Sequence, residues 1–235
     1  MQGWKWALGT GAVLAALPAA ILVPAAISPA ADHLDPPLRT DALMGDPTPD
    51  IPADIADVFA WYTNAENNAD GTVRKAAKFN IGLTFAGPAS STLPAFYDRD
   101  VLYTLYISND GDPTDYEFQN KFRFGEDTSK PGDQFGVKVT GVPGVDGDII
   151  GPVETDLAKD GVNVRAGLFD DPFYFDVLGF RESRAMNTLR FDNGRDFFVR
   201  QNDTAIIIEI PRERVFNGTN RIDVWSSSAR FGGNL

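Results

Sequence analysis

The side chains best equipped for chemistry in this chain are carboxylates, and they come in sets. Asp32 and Asp35 flank His33, Asp54 and Asp57 stand before an apolar run, Asp110, Asp112 and Asp115 crowd one turn, and Asp170 and Asp171 precede Pro172. Hard oxygen donors brought together from loops suit calcium, which accepts six to eight oxygens in irregular geometry. His33, Asp35, Asp57, Asp170 and Asp171 are the predicted metal-ligating set. The two adjacent acids Asp170 and Asp171 repel each other beside a strongly apolar segment, a cost that a cation or an arginine relieves. Asp110 and Asp112 read differently. Gly111 separates them and no glutamate closes a helix-loop-helix calcium loop, so turn-forming residues are the better description. Two carboxylates at a suitable separation are also the minimum for glycoside hydrolysis.

Other catalytic inventories are thin, and no catalytic residue is assigned. His33 is the only histidine, and it lies near the start of the exported part of the chain, a poor place to hold an imidazole for a Ser-His-Asp mechanism. There is no cysteine, which excludes thiol nucleophiles, disulfides and thiolate zinc sites, and zinc or copper would have one imidazole between them. Haem would depend on Met44, Met186 or His33 as axial ligands. Trp61 and Trp225 offer a stacking platform for a sugar or flat ligand, although aromatic residues in strands more often fill a core.

These residues must be positioned by a chain whose composition is that of a globular domain. Of its 235 residues 43% are hydrophobic, enough for a sizeable core, and its net charge of −12 repels nucleic acid and anionic lipid headgroups. Lys5 is the only charge before Asp32, and residues 11–27 form an unbroken apolar run followed by Ser28, Pro29, Ala30 and Ala31. A basic start, an apolar stretch and small residues make an export signal cleaved after Ala30 or Ala31. Residues 7–27 are also close to the length that spans a bilayer, so an uncleaved membrane anchor is the other reading. Either places the remainder in the periplasm or outside the cell.

Residues 32–54 carry Pro36, Pro37, Pro47, Pro49 and Pro52, which forbid a helix or a central strand and predict an extended arm. From residue 55 to 235 short apolar runs alternate with Gly, Asn, Asp and Pro, the pattern of an all-β antiparallel sandwich. The expected strands are 58–62, 78–85, 101–108, 116–124 and 135–142, then 161–168, 173–178, 197–200, 205–210 and 221–227. Residues 101–107 and 206–208 are apolar on both parities, which predicts strands covered on two faces. Asn109-Asp110-Gly111 predicts a hairpin turn, and residues 182–187 and 212–216 predict single helical turns.

Several segments resemble, in order, a bacterial family of exported proteins of unknown function whose members open with Ser-His-Arg-Glu-Ala-Pro. Asp32-His33-Leu34-Asp35-Pro36-Pro37 stands at that opening. Asp54-Ile55-Ala56-Asp57-Val58-Phe59-Ala60-Trp61 follows it, and Ala166-Gly167-Leu168-Phe169-Asp170-Asp171-Pro172-Phe173 is the most specific match. The resemblance implies an exported β-sandwich and no particular activity, and Leu34 replaces the arginine of the opening motif. Three functions fit the residues. The first is a non-catalytic binding or accessory protein stabilised by calcium. The second is a membrane-anchored subunit of a larger envelope complex with protein partners, and the third is a carboxylate-based glycan hydrolase. The ligand, small molecule or glycan, stays open.

Overall fold

The computed structural model describes residues 36–39, 48–127, 134–218 and 221–231. Two five-stranded antiparallel sheets face each other. The first runs in the order β1 (Ile55–Thr63), β4 (Lys78–Ser90), β11 (Gln201–Pro211), β10 (Val162–Asp170), β9 (Leu157–Lys159). The second runs β12 (Asp223–Arg230), β5 (Val101–Ser108), β6 (Phe118–Asp127), β7 (Gln134–Thr140), β8 (Ile149–Pro152). A small hairpin of β2 (Glu66–Asn67) and β3 (Val73–Lys75) extends from the end of β1. A short turn carries the chain from β8 directly to β9 and so from one sheet to the other, while β1 and β12 lie side by side at the opposite edge.

Period-two alternation puts one parity of each strand into the shared core. Ile81, Leu83 and Phe85 of β4 and Ile206, Ile208 and Ile210 of β11 face Tyr103, Leu105 and Ile107 of β5, Phe122 and Phe124 of β6, and Val137 and Val139 of β7, all buried. Burying a side chain of this size stabilises by roughly 1.5–3 kcal/mol, which makes this interface the main source of stability in a chain without disulfides. The opposite parity is less covered than the sequence predicts. Leu102 and Tyr106 of β5 and Ile207 of β11 are half-buried on outer faces, because no third layer among the described residues covers either sheet and same-face neighbours shield them instead.

The connection between β10 and β11 departs from expectation. Residues 173–178 and 197–200 are predicted as strands, but neither pairs. Phe173 to Asp176 has no regular structure, and α1 (Val177–Met186) follows, longer than the predicted turn at 182–187. Asp176 caps this helix by accepting the Gly179 N–H at 2.8 Å, and Asn187 ends it in the left-handed region at φ 50°. The alternating Phe173 and Phe175 that suggest a strand instead pack with Phe180, Phe191 and Phe198 into a satellite aromatic cluster. The arm also differs from a single extended run. Leu38 bridges Pro49, Asp50 N–H donates to Pro37 C=O at 2.7 Å, and Ile51–Ala53 closes a 3-10 turn, so the chain doubles back before β1.

Candidate functional site

Three places hold the side chains that could bind or react. The first is the end of the first sheet where the predicted ligands Asp57, Asp170 and Asp171 lie. Asp57 sits at the bulge of β1, its N–H donating to Thr84 Oγ at 2.9 Å. Asp170 ends β10 opposite Asn202, and Asp171 donates its N–H to Gln201 C=O. Burial pushes the Asp171 carboxyl above the usual aspartate range, and the charges of Asp57, Asp196 and Asp170 push the same way against the opposing Phe173 N–H. These carboxylates therefore feel one another, yet among the described residues no three carboxylate or imidazole groups stand in metal-ligating geometry. His33 and Asp35, and Met44 among the conceivable haem ligands, lie outside the described residues, and Met186 is exposed at the end of α1.

Close by, the pairing of β4 with β11 shifts register between Asn202 and Thr204, with Ala86 at φ 54°. Asp203 is buried in this irregularity against Gly87, where an added Cβ would stand 1.7 Å from its carboxylate, so only glycine fits. Asp110 and Asp112 serve as turn residues. Asp110 accepts the Asp112 N–H at 2.8 Å, and Asp112 accepts both the N–H and the hydroxyl of Thr114, which hold its carboxyl below the usual range.

The second place is the seam between the arm and the last strand. Arg230 of β12 donates through Nε and Nη2 to the two oxygens of Asp50, and through Nη2 to Asp98 at 2.8 Å. Arg230 and Asp50 are both buried, and the surrounding carboxylates keep the guanidinium charged. Ser228 donates to Ala53 C=O at 2.6 Å and the Tyr103 hydroxyl donates to Pro52 C=O. The described part of the arm is thus fastened by a buried ion triad.

The third place is the outer face of the second sheet. Strand register aligns Ala229, Leu102, Arg123, Lys138 and Ile150 in one row across all five strands, with Gly125 opposite Gly136 in the next row. A Cβ at Gly125 would meet nothing within 4 Å, so the missing side chain leaves an open floor. Above it lies a groove of about 650 Å³ bordered by Arg99, Arg123, Lys138 and Ile150. Lys138 is paired with Asp148 at 2.8 Å. Farther along the same face Trp225 stacks on Tyr106, ring centroids 5.4 Å apart and planes 11° apart, with Tyr116 edge-on at 5.0 Å from Tyr106. Trp61, the other predicted platform residue, stands on β1 in the other sheet, beside Gly82.

Fold and faces together define an antiparallel β-sandwich with an open, aromatic and basic outer sheet surface. Comparison with protein-family models, with curated proteins and with solved structures finds no match. Among the described residues no helix is long and apolar enough to cross a membrane, and residues 7–27 lie outside them.

Proposed function

We propose that this protein is an exported, non-catalytic binding module whose ligand lies along the outer face of the second sheet. The observation that carries the reading is the glycine-floored groove beside Arg123 and Lys138, on the same sheet face as the Trp225–Tyr106 stack. Flat aromatic rings suit the apolar faces of sugars, and exposed cations suit carboxylates, so the fitting ligand is an extended anionic glycan. The apolar N-terminal run and the ordered resemblance to an exported family support a place outside the cytoplasm. Calcium enters as a stabilising ion at the Asp57 and Asp171 end of the first sheet, where it would offset the burial, and with it the carboxylate repulsion, that raise Asp171.

Affinity electrophoresis of the full chain in gels containing polygalacturonate or dextran tests the reading. Retardation by polygalacturonate, none by dextran, and loss of retardation in Arg123→Gln with Lys138→Gln is the expected pattern. Unchanged mobility in both gels, or release of reducing ends from polygalacturonate by the purified protein, would overturn it. A calcium titration of the unfolding temperature, with chelator as the blank, tests the ion separately. A rise in wild type that is absent in Asp171→Asn is expected.

A further inference from the structure

Residues 171–200, the excursion from β10 to β11, carry a surface unlike the rest of the molecule. Seven of the sixteen exposed large apolar side chains among the described residues fall within this segment, Leu189 reaching 81% exposure. Phe191 packs on Phe175 and Phe180, and Phe197 on Phe198, but Leu178, Met186, Leu189 and Val199 take no part in the aromatic cluster that holds the excursion together. Its interior is already filled by Phe173, Phe175, Phe180 and Phe198, and its frame is fixed by Asp176, which accepts the N–H groups of Gly179 and Asp192 and the guanidinium of Arg195. On α1 the inward side is Gly179, Phe180 and Ser183, while Leu178, Arg181 and Ala185 follow one another at helical spacing on the outward side. A helix face meant for water ordinarily carries mixed charges, and this one has no carboxylate among those three residues.

The charges of the excursion are sorted in the same sense. Its five arginines, Arg181, Arg184, Arg190, Arg195 and Arg200, equal its five carboxylates in number. Asp176 is buried, Asp171 and Asp196 accept backbone N–H groups, and Glu182 and Asp192 both stand beside Arg195. Arg181, Arg184, Arg190 and Arg200 are exposed and have no carboxylate partner among the described residues. Exposed apolar side chains interspersed with free arginines are what the headgroup layer of a bilayer accommodates, apolar tips below the phosphates and guanidinium groups level with them. The chain's overall charge of −12 opposes an anionic surface, but screening over about 8 Å at physiological salt leaves the nearest charges to decide.

We propose that this excursion is a docking surface for an anionic lipid bilayer, with Leu178, Met186 and Leu189 entering the headgroup layer and the four arginines that lack a carboxylate partner meeting lipid phosphates. It does not depend on the glycan reading, which concerns the other sheet. The absence of cysteine makes the test clean, because single-cysteine variants of the full chain can be labelled with a polarity-sensitive dye at one site. Leu189→Cys reports the excursion and Val73→Cys, on the β2–β3 hairpin, reports an exposed apolar site elsewhere. Quenching by bromine-bearing acyl chains requires contact, so it separates immersion of the excursion from mere tethering through residues 7–27. On vesicles containing equal parts phosphatidylglycerol and phosphatidylcholine the Leu189→Cys label is quenched and the Val73→Cys label is not. Adding Arg181→Gln and Arg190→Gln reduces that quenching roughly thirtyfold at limiting lipid. An unquenched Leu189→Cys label overturns the proposal. So does equal quenching on pure phosphatidylcholine, which would remove the role of the arginines, or a blue shift that grows with protein concentration without lipid, which would make a second copy of the chain the occupant.

Discussion

Replacing Arg230 with methionine should cost the fold several kcal/mol. Asp50 is 3% exposed, and both of its carboxylate oxygens are held by Arg230. Removing the guanidinium leaves that carboxylate charged, buried and without its cation, a change that typically destabilises by about 3–5 kcal/mol. Asp98 suffers less, because its side chain is 21% exposed and still accepts the Asp100 N–H. For a domain of this size about 2–4 °C of unfolding temperature accompanies each kcal/mol, so the midpoint falls by roughly 6–20 °C. Urea unfolding followed by circular dichroism and tryptophan fluorescence gives the free energy directly. The double variant Asp50→Leu with Arg230→Met removes both charges and should regain most of the loss, since apolar replacement of a whole buried pair is often neutral. A single-variant loss below about 1 kcal/mol, the range of exposed pairs, would refute the reasoning. A double variant no better than the single would do so too.

Three further outcomes follow from particular residues. Asn120 of β6 is fully buried with neither amide atom hydrogen-bonded, so Asn120→Leu should stabilise the fold by about 1–3 kcal/mol, measurable by the same urea titration. Asp171 has a raised pKa in the folded protein, so its ionisation opposes folding: the penalty is complete above the raised folded value and vanishes below the ordinary aspartate value near 3.8. Asp171→Asn should therefore raise the unfolding temperature at neutral pH without added calcium, and the gain should shrink to nothing as the pH is lowered through that window. Gly125→Val places a side chain in open space over the groove, so glycan retardation should fall severalfold while the free energy of unfolding changes by less than about 1 kcal/mol.

The sandwich was legible because the central strands announce themselves. Ile206, Ile208 and Ile210, or Tyr103, Leu105 and Ile107, put apolar residues on one parity between turn signals, and the structure pairs them across one core. The short strands β8 and β9 were not legible, since three or four residues set among Gly147, Gly151 and Gly161 carry no period. Phe173 and Phe175 misled because alternation looks the same whether the partner is another sheet or a helix. The signals that would have corrected it are Asp176 as a helix cap and Asn187 as a helix stop, read as a pair. In the candidate sites, Asp170 and Asp171 stood out in the sequence because adjacent acids beside an apolar segment need relief, and burial together with the charges of Asp57, Asp196 and Asp170 raises Asp171. The groove could not be seen, because Gly125 and Gly136 meet only through strand register, although glycine inside two strands was a hint of open floor. Arg230 and Asp50 are 180 residues apart, and no local pattern links them.

That separation has a consequence for the order of events as the chain is made. β12 supplies the edge beside β5, and its Arg230 is the bolt for the segment that enters β1, so the first and last described parts of the domain close on each other. A ribosome or a translocation channel releases the chain from its N-terminal end. Until β12 has emerged, Asp50 lacks the Arg230 guanidinium, β5 has a bare edge, and the sandwich cannot lock. The fold thus carries its own timer: premature closure during synthesis is disfavoured by topology alone, and a chain clipped just before Arg230 should remain open to proteases.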